Sequence, residues 1–167
     1  MTQATDFSTG DIVVYPSHGV GKLEKIESQT IAGQELKVLV INFEKKRMTL
    51  RLPSAKAKNA GLRNISTRED ISKTLDKLSS KMKATKGIWA RRAQEYETKI
   101  NSGCIGSLAE VLRELHRTEN QSEQSYSERQ IYQSALERFA DEVAVVEAIQ
   151  FDEACSKLKT ILQGQAA

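Results

Sequence analysis

The sequence predicts an α+β fold: a small N-terminal β-domain, of bent-sheet or SH3-like barrel type, followed by a C-terminal α-helical bundle. Three observations lead there. The first 53 residues hold short β-branched runs broken by turn residues. From about Ser66 the apolar period changes from 2 to 3.6. Downstream of that change, helix-capping patterns recur.

Taken in order, Asp11-Ile-Val-Val-Tyr-Pro16 is a strand closed by Pro16 and the loop Ser17-His18-Gly19. Residues 20–28 alternate around Leu23 and Ile26, then turn near Ala32-Gly33. Leu36-Lys-Val-Leu-Val-Ile-Asn-Phe43 is the strongest strand and long enough to be central. Glu44-Lys45-Lys46 forms a charged tip, and Met48-Thr-Leu-Arg-Leu52 returns before Pro53. The division expected from this pattern is a β-domain over residues 1–60 and a helical domain over 61–167.

Thr67-Arg-Glu-Asp70 reads as a helix start, with Ile71, Leu75, Leu78 and Met82 behind it on one face. Lys73, Lys77 and Lys81 share a separate, basic stripe. After Gly87 a second helix carries the apolar stripe Trp89, Ala93, Tyr96 and Ile100, and Gly103 suits the left-handed position just past its end. Ser107 with Glu110 predicts the start of a third helix. Ser127 with Gln130 predicts a long fourth, running through Ile131, Ala135, Leu136, Phe139 and Val143. Asp152 is expected to cap a last helix through Leu158, Ile161 and Leu162.

Composition excludes several function classes. Hydrophobic content of 39% with 28% charged residues fits a folded, soluble chain. No apolar run approaches the about 20 residues that span a bilayer, and the first residues lack the basic and apolar parts of a signal peptide, so a cytoplasmic location is expected. Cys104 and Cys155 read as free, buried thiols. With only His18 and His116 beside them, no metal site and no cofactor are expected. Gly19-Val-Gly-Lys22 fails as a phosphate loop, because Pro16 stands where the first glycine is needed and Leu23 where Ser or Thr would hold magnesium. The chain is therefore expected not to be an enzyme.

Charge is unevenly spread. Residues 1–63 carry ten Lys/Arg against six Asp/Glu, residues 64–100 nine against five, and residues 101–167 six against eleven. A polyanion partner for the first two regions would explain this, as would a solvated basic face. Trp89, the sole tryptophan, stands beside Arg91 and Arg92 with Lys81, Lys83 and Lys86 upstream. Its place on the apolar stripe favours burial, while its place in the first turn allows a wedge against nucleic acid.

The chain resembles the CarD/CdnL family of bacterial transcription regulators. The resemblance rests on Phe7-Ser-Thr-Gly-Asp-Ile-Val-Val-Tyr-Pro-Ser-His-Gly-Val-Gly21, Ile31-Ala-Gly33, Met48-Thr-Leu-Arg-Leu-Pro53 and Gly61-Leu-Arg63. In the helical half it rests on Trp89-Ala-Arg-Arg92, Ser102-Gly103, Ala109-Glu-Val-Leu-Arg-Glu-Leu115 and Ser127-Glu-Arg-Gln-Ile-Tyr132. It implies a Tudor-like N-terminal domain that docks on the RNA polymerase β subunit, with Val40, Arg51 and Pro53 at the contact. It also implies a helical domain at promoter DNA, where Trp89 wedges at the upstream edge of the bubble and stabilises the open complex. Arg91, Arg92 and Arg129 are the DNA contacts this carries over, and Lys86 is expected to join them from the basic stretch. A monomer associated with the nucleoid, with little sequence preference, follows from the same resemblance. The alternative is a polymerase-docking adaptor whose helical domain binds another protein and not DNA.

The wedge sets a structural expectation: a substantially exposed indole at Trp89, beside Arg91 or Arg92. Three positions depart from the family pattern. Cys104 stands where relatives often carry Asp, and Gln29 and Gln94 stand where some carry Arg and Lys.

Overall fold

In a computed structural model, residues 7–80, 87–116 and 125–164 are described. The chain is α+β and divides into two compact units, Met1–Ile65 and Ser66–Ala167. The boundary lies beyond the expected 60/61 because β5 (Arg63–Asn64) pairs with β1 (Ile12–Tyr15) and so belongs to the sheet.

The first unit is a five-stranded antiparallel sheet in the order β4-β3-β2-β1-β5, with β2 at Gly19–Ile31, β3 at Gln34–Phe43 and β4 at Met48–Pro53. Leu39, Ile41 and Phe43 alternate along β3 onto one face and join Val13, Leu23, Leu52, Ala57 and Leu62 in its core. The Gly19-Val-Gly pair serves the sheet. Gly19 turns the chain at φ 80, and a Cβ on Gly21 would lie 2.8 Å from Ile41 and Phe43 side-chain carbons. A register shift between Leu23 and Lys25 adds one residue to β2, which bends the strand. Ala32 and Gly33, both at positive φ, close the β2–β3 hairpin where expected. The charged tip is a 3-10 turn, Glu44–Lys46, left through Arg47 at φ 49. A short helix, α1 (Ser54–Ala57), follows β4.

Among its described residues the second unit has five helices: α2 (Arg68–Ser79), α3 (Trp89–Asn101), α4 (Ile105–Leu115), α5 (Tyr126–Glu147) and α6 (Phe151–Gly164). Their apolar stripes meet in one core, with Ile71, Leu78, Tyr96, Ile100, Leu112, Leu115, Phe139, Val143, Leu158 and Leu162 buried in it. Met82, expected on the α2 stripe, lies outside the described residues. Thr67 caps α2 in a full capping box with Asp70, and Gly103 takes φ 76 beyond α3.

Three helix starts differ from expectation. α4 begins at Ile105, because the Leu108 amide already bonds to the Cys104 carbonyl at 3.2 Å. Ser107 therefore sits inside the first turn, and Glu110 instead pairs with Lys99 at 3.1 Å. α5 is capped by Ser125, whose hydroxyl accepts from the Glu128 amide at 3.2 Å, two residues before the expected cap. α6 begins at Phe151, where the Ala154 amide bonds the Gln150 carbonyl, leaving Asp152 in the first turn as an acid favourable to the helix dipole. The cysteines are free as expected but not buried: Cys104 is exposed at the surface start of α4, and Cys155 is partly buried.

Candidate functional site

The N-terminus of α3 is built against its own stability. Thr67 and Ser125 cap α2 and α5, but Ile88 before α3 offers no side-chain cap. The first turn, Trp89-Ala-Arg-Arg92, has no acid and two cations. Cations near a helix N-terminus oppose the dipole by about 0.3–1 kcal/mol each, and a missing polar cap forgoes about 1 kcal/mol. An anion docked there would reverse both deficits. At its other end α3 is well anchored: Arg138 Nη1 donates to the Ile100 carbonyl at 3.2 Å.

Trp89, Arg92 and Tyr96 form one stack along α3. The Arg92 guanidinium carbon lies 5.7 Å from each ring centre. The two rings are 6.2 Å apart, and Arg92 Nη2 donates to the Tyr96 hydroxyl at 2.8 Å. Burial, reinforced by Glu114, pushes the Tyr96 hydroxyl above its ordinary pKa against the pull of Arg92. The expectation of a substantially exposed indole is thereby corrected. Trp89 is partly buried and packs on the helical core, because Tyr96 and Arg92 on the same stripe offer it a surface. It is not sealed in.

Arg92 itself is half-committed. Its Nε is buried with no hydrogen-bond partner among the described residues, a deficit of about 1–3 kcal/mol. Two cation–π contacts return about 1–2 kcal/mol. The Nη2 hydrogen bond to Tyr96 adds to these contacts and tips the balance, so the guanidinium is held inward.

Arg91 lies on the neighbouring face, its side chain 84% exposed and only loosely paired with Glu95 at 3.8 Å. Ile88, to which sequence patterning assigned no role, is 79% exposed. It stands one residue before the apolar stripe, and that offset was the available signal. Arg129 is exposed in the first turn of a different helix, α5. Lys86, like Lys81 and Lys83, lies outside the described residues. On α2, Lys73 is paired with Glu69 at 3.2 Å and Lys77 is exposed.

In the sheet, β4 is an edge strand and carries Arg51 and Pro53. Arg51 is exposed, its Nε 3.6 Å from Glu27 across the sheet, and Lys25 is 2.9 Å from the same carboxylate. The Lys25 hydrogen bond, helped by the charges of Lys25 and Arg51, holds the Glu27 carboxyl below the usual carboxylate range. Val40 is a correction. It is 2% exposed and lies on interior strand β3, paired to Lys25 on one side and Arg51 on the other. Its side chain is buried and its backbone is paired on both sides.

Among the described residues no group of His, Cys, Asp and Glu is placed to hold a metal ion, and no helix is long and apolar enough to cross a membrane. Two shallow depressions run along α3, one lined by Arg91, Gln94, Glu95, Thr98 and Lys99. It is open to solvent, unlike an enclosed small-molecule pocket.

Comparison with known proteins places family models on both units. Residues 7–66 match the CarD-like/TRCF RID domain, and residues 73–159 match the CarD C-terminal domain. The chain is 27% identical over 143 residues to "Putative transcription factor YdeB" of Bacillus subtilis (strain 168), covering 86% of this chain and 94% of that protein.

Proposed function

Since this chain belongs to the CarD family of transcription factors, we propose that it docks on the RNA polymerase β subunit and stabilises the promoter open complex through α3. The observation that carries the proposal is the α3 N-terminus: an uncapped, acid-free first turn bearing Trp89, Arg91 and Arg92. Such an end favours a polyanion, and an apolar group beside cations suits a groove where bases are unstacking.

Docking would use the β4 edge. An unpaired strand edge can accept a partner strand by main-chain hydrogen bonds, with Arg51 and Pro53 contributing side-chain specificity. Docking also delivers the helical unit to DNA at high effective concentration. The wedge then needs no base code, and little sequence preference is expected. Unstacking a base step costs about a few kcal/mol, which is smallest where the duplex is already melting.

Arg91, largely exposed in the first turn, would take a phosphate directly. Arg92 would give up its Tyr96 hydrogen bond and ring contacts to reach a second phosphate, and would release the indole as it did so. Arg129 is a candidate contact by resemblance, and Lys86 by its place in the basic stretch.

Each half has its own test. Arg51→Glu should weaken pull-down of the polymerase β subunit, and undiminished retention would reject the β4 contact. Trp89→Ala should leave pull-down intact and shorten the open-complex lifetime; an unchanged lifetime would reject the wedge.

A further inference from the structure

Ile88 is the most exposed large apolar side chain among the described residues, at 79%. Its neighbours on α3 account for themselves. Trp89, Ala93, Tyr96 and Ile100 share the stripe that packs on the helical core. Ile88 stands one position off that stripe, about 100° around the helix from Trp89. Packing does not explain an isoleucine there.

Capping does not explain it either. Ile88 is the N-cap residue of α3, in extended conformation at φ −67 and ψ 133, and makes no side-chain cap. A Ser, Thr, Asp or Asn would stabilise the helix at this position, and a β-branched apolar residue is among the poorest choices. The position therefore carries an exposed apolar group where both solubility and helix stability favour a polar one. Contact with something outside the chain is the explanation left.

The surroundings say what kind of contact. Arg91, three residues on and on the same side of the helix, has a side chain that is 84% exposed. Trp89, by contrast, is held back by Arg92 at 5.7 Å and by Tyr96 at 6.2 Å between ring centres. The projecting pair is thus Ile88 with Arg91, and the recessed pair is Trp89 with Arg92. An apolar tip beside an open cation matches a nucleic acid, whose base faces are apolar and whose backbone is anionic.

We propose that Ile88 is the leading residue of the apolar wedge, entering the partly melted base step ahead of Trp89 while Arg91 engages the adjacent phosphate. The inference rests on the reading of α3 as the DNA-contacting element. Isoleucine is among the apolar residues able to unstack a step. In this arrangement Ile88 opens the step and Trp89 follows it.

The test compares wild type, Ile88→Ser, Ile88→Leu and Trp89→Ala in polymerase open complexes on a promoter carrying 2-aminopurine at the upstream bubble edge. Ile88→Ser removes little burial and adds a capping hydroxyl, so it should fold at least as stably as wild type. It should shorten the open-complex lifetime by roughly five- to tenfold, the scale of losing much of a buried aliphatic side chain, and lower the 2-aminopurine emission that reports unstacking. Ile88→Leu should restore both. If Ile88→Ser behaves as wild type while Trp89→Ala shortens the lifetime, this inference is overturned and the wedge reading stands. If neither variant matters, both are overturned. Failure of Ile88→Leu to restore function, or loss of polymerase pull-down in Ile88→Ser, would also overturn it, the latter by placing Ile88 on the polymerase.

Discussion

The Arg92 guanidinium lies 5.7 Å from the centre of the Trp89 ring and, through Nη2, holds the Tyr96 hydroxyl at 2.8 Å. This clamp keeps the only tryptophan recessed. Arg92→Ala should release it, so that the emission moves to the red and acrylamide quenching rises. Stability should fall by about 1–2 kcal/mol, because the lost Tyr96 hydrogen bond and cation–π contacts outweigh relief of the unsatisfied Nε. An unchanged emission maximum would show that the core alone positions the indole.

Glu142 is a buried carboxylate, 1% exposed, that accepts from the Ser66 amide at 2.9 Å and the Ser66 hydroxyl at 2.6 Å. It ties the segment leading into α2 to α5. Glu142→Ala leaves both donors without this acceptor and should cost about 2–4 kcal/mol in urea unfolding. Ser66→Ala keeps the amide bond and should cost only about 1 kcal/mol. Equal losses from the two variants would contradict the arrangement.

Tyr132 predicts a pH dependence. Burial pushes its hydroxyl up to about 12 from the ordinary tyrosine value of 10.0, and its oxygen lies 2.8 Å from His116 Nδ1. A raised pKa means that the folded state keeps a proton the unfolded chain loses. Stability is therefore unaffected below pH about 10 and falls between about 10 and 12. Ultraviolet absorbance should show a late-ionising tyrosine, and Tyr132→Phe should flatten the alkaline loss of stability. A Tyr132 that ionises in the ordinary tyrosine range would contradict the burial.

Much of this structure was legible in the sequence because two periodicities dominate it. Leu39, Ile41 and Phe43 alternate onto a sheet core, and Tyr96 and Ile100 recur at helical spacing. Helix starts were less legible. Ser125-x-x-Glu128 and Ser127-x-x-Gln130 both fit a capping box, and spacing alone cannot choose between them. At α4 the cap is Cys104, which has no capping side chain to read.

Site residues were legible only in part, because exposure depends on tertiary packing. Val40 reads as one apolar residue among several, and its burial depends on what covers its face of β3, which periodicity does not show. Trp89 was expected in solvent, but Arg92 and Tyr96 supply a surface that draws it inward. Ile88 escaped notice because pattern reading follows stripes, and its significance lies in standing off one.

The most direct test of the account is the lifetime of a polymerase–promoter open complex under competitor challenge, with no added chain, wild type or Trp89→Ala. The account predicts that wild type lengthens the lifetime and that Trp89→Ala loses most of that gain, roughly tenfold, while still binding polymerase. Equal lengthening by both proteins would contradict it.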